Sequence, residues 1–215
     1  MQPRFISITF ARQFGSGGSE LAQRVAGELG WPYLDRELLR QAAEEMGVDE
    51  AELIEQDEHV TGFWQRLLET FILSSPEEVY MPPPLRTARD EQLMEVMQRI
   101  MCRLARENHC VVVGRGSFHC LQGHARLLNI FVHAPRNARC QRVATIYGLR
   151  DPEAAVDLAD RDREHYIHWA TGRQWLDPCN YHLSIDTACI GLEHAQRWIV
   201  EQARRMAALA PERAG

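Results

Sequence analysis

A run of β-branched and aromatic residues, Phe5-Ile6-Ser7-Ile8-Thr9-Phe10, leads into Gly15-Ser16-Gly17-Gly18-Ser19 and then into a helical pattern. No other stretch of the chain restricts the fold as tightly. The first segment has no Gly or Pro and reads as a strand. In the third, Leu21, Ala22, Val25, Ala26 and Leu29 recur on one helical face, and Gly30 stops the pattern. Strand, glycine-rich turn and helix in this order predict a turn at the carboxyl end of a strand, where α/β sheets bind ligands.

Strands and helices then alternate. Trp31-Pro32-Tyr33-Leu34-Asp35 reads as a short second strand ending in a carboxylate. Helical patterns follow at about 37–46 and 50–56. In 60–87, Phe63, Trp64, Leu67, Leu68, Phe71 and Ile72 keep helical spacing until Pro76 and Pro82-Pro83-Pro84 break the chain. This region reads as an inserted helix and loop, its apolar stripe serving packing or a homodimer contact. Residues 88–107 form an amphipathic helix. Cys110-Val111-Val112-Val113 is apolar without interruption, as in a parallel strand buried on both faces, and it runs into Gly114-Arg115-Gly116. Leu127 to Val132 is the next strand, 151–170 a highly charged helix, Tyr181 to Ile185 a last strand and Leu192 to Leu209 a closing helix. The order implies an α/β fold with a mostly parallel sheet and helices on both faces.

Composition narrows the chemistry. All 24 residues in the Lys+Arg count are Arg, so reactions that need a Lys ammonium, Schiff bases included, are excluded. Net charge is −6 (24 against 30 acidic residues) with no long basic run, which argues against a nucleic-acid partner. No apolar stretch approaches the ~18 residues of a membrane span. The cysteines at 102, 110, 120, 140, 179 and 189 include no Cys-x-x-Cys pair. Scattered thiols without a signal-peptide pattern set the expectation of a reducing cytoplasm. His119, Cys120 and His124, and the pair His165 and His168, read as surface or packing residues because no third metal ligand stands at a usable spacing.

The glycine turn is the strongest chemical signal. Glycines let backbone N–H groups converge on an anion, and the helix N-terminus adds partial positive charge. Aligned with the phosphate-loop pattern G-x-x-x-x-G-K-[ST], residues 12–19 keep the second Gly as Gly17 and the hydroxyl as Ser19. Arg12 stands at the first Gly and Gly18 at the Lys. Arg12, at the mouth of the loop, is one candidate for the substitute cation, and an arginine of the 161–163 stretch is the other. The bland reading is a turn that positions a helix and binds nothing.

Two further strand ends carry charge. Arg115 follows four apolar residues and a glycine, so it needs an anionic partner, either a bound phosphate or a carboxylate such as Asp35. Asp35 itself suits an acceptor site or the cap of a helix beginning near Glu37. Arg161 and Arg163 stand among Asp157, Asp160, Asp162 and Glu164, a solvated face by charge pattern alone. Arg136, Arg139 and Arg142 share one helix face, which is read as solvated rather than as an adenine platform.

Together these segments resemble the cytidylate kinase-like family, a branch related to the P-loop nucleoside monophosphate kinases. The resemblance rests on Ile-Thr-Phe-Ala-Arg-Gln-Phe-Gly-Ser-Gly-Gly-Ser-Glu-Leu-Ala (8–22), Pro-Tyr-Leu-Asp-Arg-Glu-Leu (32–38), Val-Val-Val-Gly-Arg-Gly (111–116), Asp-Arg-Asp-Arg-Glu-His-Tyr (160–166) and the stretch 171–187. It implies one domain over 1–210, with an acceptor-side insertion at about 36–87, a lid at about 148–175 and a fraying tail at 211–215. It further implies ATP bound through Gly15, Ser16, Gly17, Gly18 and Ser19, with Mg2+ on the Ser19 side. Asp35, Arg115 and Asp162 would meet the acceptor, while Arg161 and Arg163 would close over the transferring phosphate beside Arg12. Two positions depart from the family pattern: Gly116 stands where Asp is usual and His165 where a further lid arginine is expected. The function so implied is phosphoryl transfer from ATP to CMP or dCMP. The absent Lys leaves two other readings, a nucleotide-binding regulator with little turnover and a kinase for another small acceptor.

Overall fold

The computed structural model describes residues 5–35, 98–99 and 101–209. The helices expected at 37–46 and 50–56, the insertion at 60–87 and most of the helix at 88–107 lie outside the described residues, though 101–107 are helical. Strands β1 (Ile6–Arg12), β2 (Tyr33–Leu34), β3 (Cys110–Val113), β4 (Arg126–His133) and β5 (Leu183–Asp186) form one sheet in the order β2-β3-β1-β4-β5. Every pairing is parallel, as the alternation of elements requires.

The register follows from side-chain alternation. On one face Ile8 and Phe10 of β1 join Val111 and Val113, then Leu128, Ile130 and Val132, under α1 (Gly18–Leu29) and α6 (Leu192–Ala208). Leu21, Ala22, Val25 and Ala26 of α1 and Ala195, Ile199, Val200 and Ala203 of α6 close this core. Each large side chain so buried contributes about 1.5–3 kcal/mol. On the opposite face Ala11 and Phe131 pack with Phe118, Trp175 and, from α4 (Pro152–Thr171), Tyr166 and Ile167. There the buried Thr9 hydroxyl donates to Asn129 Oδ1 at 2.8 Å, so its polar group is satisfied across β1 and β4. All four residues of β3 are buried, which is why that strand is apolar without alternation.

The helices end where the sequence signals them. Asp151 accepts from the Ala154 N–H at the start of α4, and Gly172 stops it. The sheet order places β1 at the centre, so the turn after it is flanked by the ends of β3 and β4. Three short elements were not visible in the sequence pattern: α2 (Ser117–Cys120), a 3-10 turn at Pro178–Asn180 and α5 (Thr187–Ile190). None is long enough to show a period. The remaining helix, α3 (Arg136–Tyr147), leads from β4 towards α4.

Candidate phosphate-transfer site

The turn between β1 and α1 is held from outside by side chains. Gln13 N–H donates to Val132 O at 2.9 Å, and the buried Ser16 hydroxyl closes the turn on Gln13 O at 2.7 Å. The Thr187 hydroxyl donates to Ser16 O at 2.6 Å. Gly17 caps α1 without a side-chain hydrogen bond, so the first N–H groups of the helix are left to an anion or to solvent.

Phe14 faces away from that opening. Its N–H donates to Asp160 Oδ1 at 2.8 Å, and its carbonyl accepts from Arg139 Nη1 at 3.0 Å. Arg139 also donates to Asp160 Oδ2 at 2.6 Å and to Ala134 O at 3.0 Å. Arg163 lies 3.6 Å from Asp160, donates from Nη1 to Arg12 O at 3.1 Å, and places its guanidinium 5.7 Å from the Phe14 ring centroid. An Arg–Asp–Arg cluster from α3 and α4 thus fixes the backbone of Arg12 and Phe14 from behind. This corrects the reading of Arg139 as part of a solvated face: it is 6% exposed and structural. Its neighbours do lie outward, Arg136 on Glu153 and Asp157, and Arg142 on Glu20.

In front of the turn, Arg12 crosses the start of α1. Its Nε donates to Ser19 Oγ at 3.2 Å. Beyond it lie Asp35, at the end of β2, and Tyr33. Burial raises the Asp35 pKa above the ordinary carboxylate value, and the guanidinium charges of Arg12 and Arg115 pull it back down. Burial likewise pushes the Tyr33 hydroxyl up, reinforced by Asp35 and opposed by Arg12 and by a hydrogen bond with Gln23. Asp35 therefore lies within electrostatic reach of both guanidinia.

Arg115 sits in a turn of unusual backbone. Gly114, Arg115 and Gly116 have φ of +74°, +57° and +64°, three successive residues in the left-handed region. For Arg this conformation costs roughly 1–2 kcal/mol, the kind of strain found where a side chain must be aimed. Gly116 has a second reason for lacking a side chain, because a Cβ there would lie 2.8 Å from Thr171 Cγ2 at the end of α4. An Asp at position 116 fits neither the backbone nor the space.

The ends of β1, β2 and β3 thus bring together Gly15–Ser19, Arg12, Asp35 and Arg115. Arg163 reaches this group through the Arg12 carbonyl. Arg161 is exposed on α4, and Asp162 has Arg161 and His165 as its charged neighbours. Burial raises the Asp162 pKa, with those two groups opposing it. Sequence reasoning did not find Arg139, Asp160 or Thr187 as supports of the turn. Arg139 and Asp160 lie 21 positions apart on different helices, a separation that no local period reveals.

The donor set suits Mg2+ in its nucleotide-bound form. Ser19 Oγ uses one lone pair for Arg12 and keeps a second, and Mg2+ at nucleotide sites takes only one or two protein oxygens besides phosphates. Among the described residues no group of three His, Cys, Asp or Glu side chains is placed to hold a metal alone, and no helix is long and apolar enough to cross a membrane.

Comparison with known proteins agrees with this architecture. The model of the cytidylate kinase-like family matches residues 7–188. Among solved structures, an uncharacterized protein from Eubacterium ventriosum superposes with a TM-score of 0.65 at 18% identity, covering 93% of this chain and 98% of its own. A gluconokinase from Sinorhizobium meliloti superposes with a TM-score of 0.52 at 15% identity, covering 97% of this chain and 96% of its own. At these identities the likeness establishes the fold. No curated protein matches the sequence significantly.

Proposed function

Because the chain belongs to the cytidylate kinase-like family, we propose that it transfers the γ-phosphoryl group of ATP to a nucleoside monophosphate, CMP or dCMP first among them. The observation that carries this reading is a glycine turn backed by a helix N-terminus, with Arg12 across it on Ser19 and with Asp35 and Arg115 at neighbouring strand ends of the same sheet. Phosphoryl transfer is largely positioning and charge stabilisation, and these are the resources the site has. Backbone N–H groups of Gly15, Gly17, Gly18 and Ser19 bind the donor phosphates, while the Ser16 N–H stays on Gln13 O and shapes the turn around them. Arg115 binds the acceptor phosphate from its strained turn, with Asp35 orienting the acceptor next to it.

Arg163, buried behind the turn, stiffens it through the Arg12 carbonyl. Arg161 and Asp162 come from the same helix, which Asp160 and Arg163 tie to the turn, so we assign Arg161 to the transferring phosphate and Asp162 to the acceptor ribose through side-chain reach rather than movement of the helix. Bound at Ser19, Mg2+ supplies neutralisation of charge on the β- and γ-phosphates. An acceptor phosphate is already anionic, so no side chain need serve as a strong base. We place this activity in the cytoplasm, with nucleotides as the partners.

A coupled assay of ADP release across CMP, dCMP, UMP, AMP and hydroxyl-bearing non-nucleotide acceptors tests the reading. Turnover of a pyrimidine monophosphate in preference to the rest is expected. Preference for a hydroxyl acceptor would move the chemistry to Asp35 as base. Nucleotide binding without turnover of any acceptor would leave a regulator in place of an enzyme.

A further inference from the structure

The proposed phosphate site lacks the ammonium that such loops ordinarily use, and three observations show what stands in its place. A Cβ on Gly18 would lie 2.5 Å from Arg12 Cβ, 3.0 Å from Arg12 Cγ and 3.1 Å from Val132 Cβ. The space above the first residue of α1 is therefore filled first by the Arg12 stem, with Val132 of β4 behind it, and a side chain at 18 collides with that stem. A Cβ on Gly114 would lie 2.7 Å from Arg12 Nη1, so the end of β3 is cleared for the guanidinium as well. Between these two glycines, Arg12 Nε hydrogen-bonds Ser19 Oγ.

We infer that the phosphate cation of this loop has been transposed from position 18 to Arg12, and that Gly18 and Gly114 are vacated to admit it. The inference rests on the phosphate-site reading above. It explains why the Lys and the first Gly of the pattern are exchanged together: each change alone would leave either no cation or two stems in one space. The new location also changes what the cation can do. A Lys rooted on α1 serves the donor side. Arg12 is rooted at the end of β1, touches Ser19 and reaches with Nη1 to Gly114 at the end of β3, so its planar fork spans the gap between donor loop and acceptor side. Guanidinium suits this position because it presents several N–H donors in one plane to phosphate oxygens. Its backbone is held from behind by Arg163, which fixes the direction in which the side chain leaves the strand.

The test uses ADP as probe, measured by calorimetry on the whole protein, with thermal melting to confirm folding. Arg12→Gln removes the charge and keeps the stem; the expected loss of ADP affinity is on the order of 10-fold to 100-fold, as for one charge-assisted hydrogen bond. Gly18→Lys alone places a second stem in filled space and is expected to melt lower and bind ADP more weakly. The exchange Arg12→Gly with Gly18→Lys restores the ordinary order and is expected to regain affinity to within about threefold of wild type, less than the loss from one such contact. ADP binding unchanged in R12Q overturns the inference and leaves phosphoryl transfer standing. A folded R12G/G18K protein that binds no better than R12G also overturns it. A chain that shows the expected ADP pattern yet turns over no acceptor loses the kinase reading and keeps this one, whereas a wild type that binds no ADP ends both.

Discussion

Asp160 and Arg139 meet at 2.6 Å and close on the same residue from two helices, the carboxylate taking the Phe14 N–H and the guanidinium reaching the Phe14 carbonyl. Neither touches the opening of the turn, yet both decide its shape. Removing one member of a fully buried ion pair costs about 3–5 kcal/mol because the other charge is left alone. Asp160 is part-buried and keeps Arg163 at 3.6 Å. Arg139→Ala is therefore expected to destabilise the fold by less than that in urea unfolding, about 2–3 kcal/mol from the lost pair and the lost hydrogen bonds to Phe14 O and Ala134 O. Asp160→Asn, which can still accept from Phe14 but leaves the buried Arg139 and Arg163 without their counter-charge, is expected to lose at least as much. A loss below about 1 kcal/mol for R139A, the scale of an exposed pair, would mean that the cluster is not what holds the turn.

Gly116 and Thr171 define a second joint, between the acceptor-side turn and the end of α4. A side chain at 116 meets two separate penalties: a backbone at φ +64° and a contact of 2.8 Å with Thr171 Cγ2. Gly116→Ala is expected to cost about 1–2 kcal/mol from the backbone, with the contact in addition. Thr171→Ser deletes only the methyl and keeps the hydroxyl that donates to Ile167 O and accepts from the Arg173 N–H. In the double variant the contact part should return while the backbone part stays. Denaturation of all four proteins gives the coupling, and strictly additive losses would reject the contact.

The fold was largely legible because its strands and helices are long enough to show a period, and because β1, the glycine turn and α1 follow one another directly. Asp35 and Arg115 could be placed at the site because a charge at the end of an apolar strand in a parallel sheet has only one edge to occupy. What stayed hidden depends on contacts between distant positions. Arg139 has the same spacing as the exposed Arg136 and the half-buried Arg142, and only the approach of Asp160 from α4 pairs its charge. The vacancy at Gly18 reads in sequence as a lost Lys; the Arg12 stem that fills it becomes visible only when the turn folds back on β1. Strain at Arg115 has no sequence signature, since Arg seldom adopts the left-handed region.

Asp35 gives the last prediction, a pH dependence with a defined sign. Burial raises its pKa in the folded protein, with Arg12 and then Arg115 opposing. Between the unfolded and folded pKa values the native state holds a proton that the unfolded chain has released, so stability falls as pH rises through that window. The contribution is complete below the ordinary Asp value of about 3.9 and is lost above the raised one. Asp35→Asn does not titrate. Relative to it the wild type is therefore expected to lose stability as pH rises through the window and to gain as pH falls towards the ordinary carboxylate range. Urea unfolding of both proteins between pH 4 and pH 8 measures the difference directly, with ~1 kcal/mol of change resolvable. If the wild type instead gains on D35N as pH rises, the two guanidinia outweigh burial, and Asp35 is held ionised rather than proton-bearing in the folded site.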